Sequence, residues 1–173
     1  MTTFINLFGG PGTGKSTAAA EIFAIMKAQN KSVELVTEVA KDFTWENRQD
    51  TLAIQPYVSM KQYRNLQRVN GKVEYVVTDS PLLKDKIYAD LFAPTLPGSY
   101  WTLLEDLHND LGKHINILLT RNFEYAPEGR NQTLQEAKNI DERLASMLRF
   151  LRPFITTASG AKHQLAALGI INL

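Results

Sequence analysis

Short apolar runs recur along the chain and are separated by longer stretches in which apolar residues follow a helical spacing. The β-like runs are residues 3–8, 33–37, 73–78 and 115–120, with a fifth at 154–157. The helical stretches are residues 15–29, 58–70, 100–111 and 134–151. Strands that alternate with helices favour parallel pairing through right-handed crossovers. The pattern therefore predicts an α/β fold with a five-stranded parallel sheet flanked by helices.

Three further segments, 38–56, 81–98 and 121–133, are polar, aromatic or proline-bearing. They follow the second, third and fourth predicted strands. In open parallel sheets, ligands bind at the carboxyl ends of the strands. We therefore expect these segments to carry binding residues.

Composition limits the function classes. The 173 residues suit one compact domain, 1–173, with 44% apolar residues, 21% charged residues and a net charge of +1. A charge so near neutral gives no electrostatic case for bulk binding to nucleic acid or membranes, although a local basic patch stays open. The absence of cysteine excludes disulfides and thiolate metal sites. The N-terminus does not read as a secretory signal and no apolar run reaches membrane length, so we expect a cytoplasmic protein.

The link between the first predicted strand and the first predicted helix reads GGPGTGKS, residues 9–16, and fits the pattern G-x-x-x-x-G-K-[ST]. Glycines let the backbone turn tightly and point its N–H groups inward, where they and the positive end of the following helix bind a polyphosphate. Lys15 would reach the β- and γ-phosphates, and the Ser16 hydroxyl would bind Mg²⁺. The alternative is a glycine-rich turn without a ligand. We expect a three-layer P-loop NTPase fold that binds ATP with Mg²⁺. The expected nucleotide-binding residues of the loop are Gly10, Gly12, Thr13, Gly14, Lys15, Ser16 and Thr17.

Two acidic residues stand at the ends of predicted strands. Asp79 follows the third strand, where a carboxylate would bind Mg²⁺ directly or through water, and the alternative is a strand-terminal turn or a helix cap. Glu38 follows the second strand and could accept a proton from a hydroxyl that attacks the γ-phosphate, although a solvated glutamate at a helix start fits equally well. Asp42, one helical turn later, is a weaker substitute. The general base therefore stays open among Glu38, Asp42 and Asp79.

Three arginines follow the fourth predicted strand, namely Arg121, Arg130 and Arg143. Mobile arginines that close over a phosphoryl-transfer site stabilise the charge on the γ-phosphate and exclude water. Arg130, preceded by Gly129, is the preferred catalytic arginine, and Arg121 is a candidate nucleotide ligand. The segment 121–133 is the expected lid, whereas Arg143 could equally lie on a solvated helix face.

The region 38–70 interleaves aromatic and basic residues and is the expected acceptor side of the site. The aromatic residues are Phe43, Trp45, Tyr57 and Tyr63, and the basic residues are Lys41, Arg48, Lys61, Arg64 and Arg68. Aromatic rings stack on bases and basic groups follow phosphates, so the region could bind a nucleotide or a flipped base. Core aromatics and a solvated helix face are equally consistent with the pattern.

The P-loop, the acidic ends of strands two and three, and the motif R…GR…ERL together resemble the small P-loop kinases. That group comprises the nucleoside monophosphate, deoxynucleoside and nicotinamide riboside kinases. More narrowly, the segments INLFGGPGTGKST, ELVTEVAKDFTWE and GKVEYVVTDSPLL resemble small bacteriophage kinase-like proteins that include the 5-hydroxymethyluracil DNA kinases. The resemblance implies that Lys15 and Ser16 hold phosphate and metal, and that Asp79 supports the metal. It also implies that Glu38 is the base and that Arg130 belongs to the lid.

One departure separates the chain from the deoxynucleoside kinases, which commonly follow the strand-three acid with arginine. Here Ser80 and Pro81 follow Asp79. Residues and resemblance together predict an ATP- and Mg²⁺-dependent phosphotransferase that acts on a hydroxyl of a nucleoside, nucleotide or modified base. The most specific expectation is the hydroxymethyl group of 5-hydroxymethyluracil in phage DNA, which would place the protein in the host cytoplasm. A free nucleoside or nucleoside monophosphate is the alternative acceptor.

A nucleotide-hydrolysing ATPase that acts as a switch or motor component is the alternative of a different class. Against it, we expect no room in 173 residues for the additional helical domain of ring ATPases. A GTPase is disfavoured because residues 138–141, KNID, do not fit the guanine-reading pattern Asn-Lys-x-Asp. The expected partners are ATP and its acceptor, with DNA possible and no membrane, and the oligomeric state stays open.

Overall fold

The computed structural model describes residues 1–122, 124–126 and 131–173. The strands are β1 (Thr3–Phe8), β2 (Val33–Val36), β3 (Tyr75–Thr78), β4 (Lys113–Leu119) and β5 (Phe154–Thr156). They form one sheet in the order β2-β3-β1-β4-β5, and every neighbouring pair is parallel. This arrangement confirms the predicted α/β fold with a five-stranded parallel sheet.

Helices flank the sheet. In the described residues they are α1 (Lys15–Ala28), α2 (Val39–Trp45), α3 (Gln49–Leu52), α4 (Gln55–Gln67), α5 (Asp85–Phe92), α6 (Gly98–Asp110), α7 (Leu134–Leu148) and α8 (Ala161–Ala167). Short 3₁₀ turns precede α5 at Leu82–Lys84 and follow α7 at Arg149–Leu151. Within the described residues, the helices are all too short or too polar to cross a membrane.

The central strand β1 buries different side chains on its two faces. Ile5 and Leu7 belong to a core cluster shared with α1 and α8. Phe4 belongs to a second cluster shared with α4 and α6. Each of these side chains is almost fully buried and contributes about 1.5–3 kcal/mol of transfer free energy. The core therefore fixes the sheet on which the site is built.

Four helices were not predicted from the sequence pattern, namely α2, α3, α5 and α8. Each spans at most eight residues, which is too short for an apolar repeat to show. For example, α2 buries only Val39 and Phe43, which pack against Val58 of α4. Helix α4 also begins at Gln55, ahead of its predicted start at residue 58, because a proline is tolerated in the first helical turn.

All five strands run in one direction, so their carboxyl ends meet at one edge of the sheet. At that edge β1 leads into the loop 9–14, β2 leads to Glu38, β3 leads to Asp79 and β4 leads towards Arg121. The positions that the sequence indicated as functional are therefore brought to the same edge.

Candidate active site

A cavity of about 520 Å³ opens at the carboxyl edge of the sheet. One side, called here the P-loop half, is lined by residues of the loop and first helical turn, 11–17. The other side, called here the helical half, is lined by residues of 38–58 and 84–92, among them Glu38, Gln55, Lys84 and Asp85. Because the two halves form one space, a ligand on the loop and a ligand among the helices would lie against each other.

The backbone of the P-loop adopts the conformation that glycine permits. Gly12 and Gly14 have φ values of 81° and 86°, in the left-handed region. A Cβ atom at Gly10 would lie 2.5 Å from Asp141 Oδ1 and 2.7 Å from the carbonyl oxygen of Ala137, so a larger residue would displace the loop from helix α7. The glycines are therefore required by close packing as well as by the turn.

Polar side chains of the loop hold its shape. The Thr13 hydroxyl, which is fully buried, donates to the Gly10 carbonyl oxygen at 3.0 Å, and Lys15 Nζ donates to the same oxygen at 2.8 Å. Burial lowers the pKa of Lys15 to about 8; the Lys84 charge adds to this effect, while Glu38 and Asp79 oppose it. A triphosphate bound beside Lys15 would supply negative charge that favours the ammonium form.

Ser16 and Asp79 meet at the floor of the P-loop half. The Ser16 hydroxyl donates to Asp79 Oδ2 at 2.6 Å, and Asp79 is only 3% exposed. The other carboxylate oxygen, Oδ1, is buried without a hydrogen-bond partner in the described residues. A hydroxyl next to a buried, unpaired carboxylate oxygen fits Mg²⁺, which would be held by Ser16 and Asp79.

The described residues do not form a site that would bind a metal through protein side chains alone. No group of three or more His, Asp or Glu residues within the described ranges could hold a metal ion. Mg²⁺ that accompanies a nucleotide needs only one or two protein ligands, since phosphates and water supply the others. The donor set therefore suits a metal that arrives with a nucleotide.

Asp141 of α7 connects the P-loop to Arg121, a contact that the sequence did not indicate. Its Oδ1 accepts from the Gly10 N–H at 2.7 Å, and its Oδ2 accepts from Arg121 Nε and Nη2 at 3.0 and 2.7 Å. Arg121 Nη1 also donates to the Pro11 carbonyl oxygen at 2.8 Å. In this structure Arg121 therefore fixes the outside of the loop, and its predicted role as a nucleotide ligand stays a prediction.

Glu38 forms an ion pair with Lys84, which is buried at the end of the 3₁₀ turn before α5. Burial alone would raise the pKa of Glu38, but the positive charges of Lys84 and Lys15 outweigh it and hold the pKa below its ordinary value. The chain after Glu38 is fixed as well, because the Val39 N–H donates to Gln62 Oε1 at 3.1 Å. Glu38 is therefore an ionised, oriented carboxylate in the cavity.

Asp85 follows Lys84 and is a second carboxylate of the helical half. It is 5% exposed, and burial raises its pKa to about 6, with Lys84 opposing the shift. Ser59 also opposes this shift by favouring the charged form of Asp85, and the Ser59 oxygen accepts from the Tyr100 hydroxyl at 2.7 Å. Its Oδ2 atom is buried without a hydrogen-bond partner in the described part of the chain.

The aromatic residues of the predicted acceptor side do not act together. Trp45 is 62% exposed and lines the cavity, whereas Phe43 is buried in the small core of α2 and α4. Tyr57 packs on Phe43 with ring centroids 6.0 Å apart. Tyr63 is directed elsewhere, since its hydroxyl donates to Asp110 of α6 at 3.2 Å. Of the four predicted aromatics, only Trp45 belongs to the described lining.

Of the charged residues predicted for the acceptor side, some line the cavity and others do not. Lys41 lines the cavity, whereas Asp42 is exposed and lies outside the described lining. Lys61, Arg64 and Arg68 are exposed on α4 and at its end, and they also lie outside that lining. This is the solvated face that the sequence left as an alternative.

The predicted lid is described only in part. Arg130 and Gly129 lie outside the described residues, and Arg143 is exposed on α7. The end of the segment contacts the helical half, because Asn131 Nδ2 donates to Thr44 Oγ1 at 3.1 Å and Gln49 Nε2 donates to Asn131 Oδ1 at 3.2 Å. Residues after the fourth strand therefore reach across the cavity.

Sequence reasoning missed Lys84, Asp85 and Asp141. Lys84 and Asp85 lie in the segment 81–98, which was expected at the ligand edge, but no motif distinguished them. Asp141 stands within a helix and nothing in its sequence neighbourhood indicated a contact with the P-loop. The proximity of Lys84 and Asp85 to the end of β3 was the one available signal.

Comparisons with known proteins agree with the observed fold. A family model described as AAA domain matches residues 4–161. The comparison with curated proteins gives no match. The crystal structure of a NadR protein in complex with NR has a TM-score of 0.63 at 16% identity, covering 90% of this chain and 45% of that one. A NadR protein in complex with NAD and AMP-PNP has a TM-score of 0.60 at 14% identity, covering 96% of this chain and 48% of that one. At these identities the likeness shows the fold, and the chain spans about half the length of the NadR chains.

Proposed function

This chain belongs to the family described as AAA domain, and from that premise we propose that it transfers the γ-phosphoryl group of ATP to a hydroxyl of a nucleoside, nucleotide or modified base. One observation carries the proposal. The cavity joins Lys15 and Ser16 of the P-loop half to the ionised carboxylate of Glu38 in the helical half. A nucleotide-binding loop that shares one cavity with a second compartment suits a reaction with two substrates.

The residues divide the chemistry as follows. The N–H groups of 9–16 and the Lys15 ammonium bind the triphosphate and neutralise charge on it. Ser16 and Asp79 would hold Mg²⁺, which when bound neutralises further phosphate charge. Glu38 accepts the proton of the acceptor hydroxyl, and the hydroxyl oxygen forms a bond to the γ-phosphorus. The bond between the γ-phosphorus and the β,γ-bridging oxygen breaks at the same time, and ADP is released. Lys84 keeps Glu38 ionised for this step.

Two further elements belong to the proposal. The segment 121–133, including Arg130 and Arg121, serves as a lid, and the region 38–70 is the acceptor side of the single domain 1–173. The Asn131 contacts with Thr44 and Gln49 support the lid, because they connect its end to that acceptor side. A lid over the γ-phosphate would exclude water and favour transfer over hydrolysis.

The structural neighbours support a nucleoside-type acceptor. The NadR crystal structures contain NR in one case and NAD with AMP-PNP in the other, and AMP-PNP is an ATP analogue. The finer proposal is the hydroxymethyl group of 5-hydroxymethyluracil in phage DNA, acted on in the host cytoplasm. It rests on the sequence resemblance, and the exposed Trp45 at the cavity offers a face on which a flipped base could stack.

Nucleotide hydrolysis is the second candidate, because the matching family is described as AAA domain. In that reaction water would replace the acceptor hydroxyl. The aromatic and aliphatic residues of the helical half and the paired, oriented Glu38 support an organic acceptor, since water needs no such lining.

Incubation with γ-labelled ATP tests the proposal. The acceptors are free nucleosides, nucleoside monophosphates, and DNA with and without 5-hydroxymethyluracil. We expect label in one acceptor class and no transfer by Lys15→Ala. Label only in DNA that contains the modified base would support the phage-type acceptor. Label released only as inorganic phosphate, at the same rate with and without every acceptor, would favour hydrolysis and contradict the proposal.

A further inference from the structure

Asp85 is a buried carboxylate to which the proposed reaction gives no role. It is 5% exposed and lines the cavity, and its Oδ2 atom lacks a hydrogen-bond partner in the described residues. Buried polar atoms are nearly always paired, because an unpaired one loses its hydration without replacement. An unpaired oxygen on a residue that lines the cavity indicates that a bound molecule completes the pairing.

The side chain is held in place. Ser59 is fully buried and favours the charged form of the Asp85 carboxylate, and the Tyr100 hydroxyl donates to Ser59 at 2.7 Å. Tyr100 comes from α6 and Ser59 from α4, so two helices orient a residue at the start of a third. These neighbours restrict the position of the Asp85 carboxylate, and its Oδ2 atom is left without a partner in the described residues.

The charged and titratable groups around Asp85 are Lys84, Glu38, Tyr88 and Tyr100. Lys84 is the one cation among these neighbours, and its ammonium forms an ion pair with Glu38. The positive charge of Lys84 therefore stabilises both carboxylates, but the Lys84 ammonium donates its hydrogen bond to Glu38. Asp85 still needs a hydrogen-bond donor.

The rest of the helical half suits a flat organic molecule. Aromatic rings of Trp45, Tyr88 and Phe92 and the aliphatic side chains of Leu52 and Val58 line it. Aromatic and aliphatic walls accommodate a planar ring, and the polar groups among them then fix its orientation. Asp85 is one of those polar groups.

We propose that Asp85 accepts a hydrogen bond from an N–H or O–H group of the nucleoside part of the acceptor and thereby determines which acceptors bind. This inference rests on the proposed function, since it takes the acceptor to be a nucleoside or a molecule that contains one. A carboxylate can only accept, so a molecule without a donor at this position leaves it unpaired and is rejected. The donor is either a ring or exocyclic N–H of the base or a hydroxyl of the sugar.

Equilibrium binding separates these sources without any need for turnover. Calorimetry with uridine, cytidine, adenosine and guanosine, in the presence of Mg²⁺ and AMP-PNP, identifies the nucleoside that binds best. That nucleoside is then compared with its base N-methyl derivative and with its 2′,3′-dideoxy derivative. Weaker binding of the first derivative assigns the donor to the base, and weaker binding of the second assigns it to the sugar.

Asp85→Asn keeps the shape of the side chain and removes the charge. We expect it to weaken nucleoside binding by about 10- to 100-fold, as a lost hydrogen bond to a charged group does. The preference for the parent nucleoside over the derivative lacking the donor should also become smaller, because the amide carries no charge and has an NH₂ group in place of one acceptor oxygen. Ser59→Ala, which removes the hydroxyl beside Asp85 and leaves the carboxylate in place, should give a smaller loss. Asp90→Asn, on the exposed side of the same helix, is the matched control and should bind as the wild type does.

Binding of Mg²⁺·AMP-PNP to each variant shows that it is folded. The proposal is overturned if folded Asp85→Asn binds the nucleoside within twofold of the wild type, or if none of the four nucleosides binds the wild type. Nucleoside binding that depends on Asp85, without phosphoryl transfer, would contradict the proposed function and leave the role of Asp85 standing. Phosphoryl transfer at the wild-type rate by Asp85→Asn would contradict the role of Asp85 and leave the proposed function standing.

Discussion

The two halves of the cavity are built in different ways. The P-loop half is made by consecutive residues whose polar groups satisfy one another, as Thr13 and Lys15 do when both donate to the Gly10 carbonyl oxygen. The helical half brings Glu38 together with Lys84 and Asp85 from more than forty positions later in the chain, and these three are charged side chains at least partly removed from water. One half is local and the other is assembled by the fold.

This difference follows from what each half would bind. A triphosphate presents the same oxygens in every nucleotide, so backbone N–H groups and one lysine suffice for it. An acceptor must be distinguished from similar molecules. This requires buried polar side chains, because a molecule that leaves them without a hydrogen-bond partner binds with a less favourable free energy. The helical half should therefore control selectivity, and the P-loop half should control whether transfer occurs at all.

The largest expected effect is in the P-loop half. Lys15→Ala should reduce phosphoryl transfer to background, because no other cation of the loop reaches the β- and γ-phosphates. The melting temperature should hardly change, since the charge of Lys15 is unfavourably buried without its ligand. Lys27→Ala, at the exposed end of the same helix, is the control. A Lys15→Ala variant with wild-type transfer would remove the loop from the mechanism.

The next effect addresses the base. Glu38→Gln should lower the rate of transfer by about 10²–10⁴-fold, the usual contribution of a positioned general base. The affinity for ATP should stay near that of the wild type, because Glu38 lies outside the P-loop half. Glu34→Gln in β2 serves as the control, and steady-state kinetics provides the comparison. A loss below threefold would show that Glu38 is not the base.

Lys84→Met should change both stability and the pH profile. It leaves the Glu38 carboxylate without its closest cation and should cost about 3 kcal/mol of unfolding free energy, as broken buried ion pairs do. Lys84 holds the pKa of Glu38 below its ordinary value, so without it that pKa rises and the acid limb of kcat/KM moves to higher pH. An acid limb at the same pH in both proteins would show that Glu38 does not control it.

Asp85 should make the free energy of unfolding depend on pH. Its pKa in the folded chain is about 6 against an ordinary 3.8, so the folded chain holds the proton more tightly. The free energy of unfolding therefore falls as the pH rises from about 4 to 6, by about 3 kcal/mol at most. Asp85→Asn, which resembles the neutral form, should be more stable than the wild type at pH 8 and equally stable at pH 4. Urea unfolding that gives the same difference at both pH values would contradict this assignment.

The smallest expected effect concerns the contact between α7 and the P-loop. Asp141→Asn weakens the pairing with Arg121 and should raise the KM for ATP by about three- to tenfold with kcat little changed. Glu142→Gln, its exposed neighbour, is the control. An unchanged KM would show that the P-loop keeps its shape without Arg121.

The contrast between the halves also explains what the sequence could predict. The five parallel strands and the P-loop were predictable because each is a local pattern, an apolar run or a run of glycines with Lys15 and Ser16. Asp79 and Glu38 were found because each follows such a run directly. Their roles in catalysis stay predictions, as does that of Arg130.

The remaining groups were not predictable for a physical reason. Lys84 and Asp85 become significant only when the 3₁₀ turn after β3 places them opposite Glu38, and Asp141 only when α7 packs on the P-loop. Conversely, Tyr63 was predicted on the acceptor side, yet its ring packs against the core and its hydroxyl bonds to Asp110. Short helices such as α2 and α5 bury too few residues to show an apolar repeat in the sequence. These helices build the helical half of the cavity.

Binding of nucleotide is the most direct test of the whole account. Isothermal titration calorimetry should show that Mg²⁺·ATP and Mg²⁺·AMP-PNP bind at one site per chain. Under the same conditions AMP should bind far more weakly, and Lys15→Ala should give no heat with ATP. The absence of heat from the wild type with either triphosphate, or equal binding of AMP and ATP, would contradict the claim that the loop 9–16 binds a triphosphate.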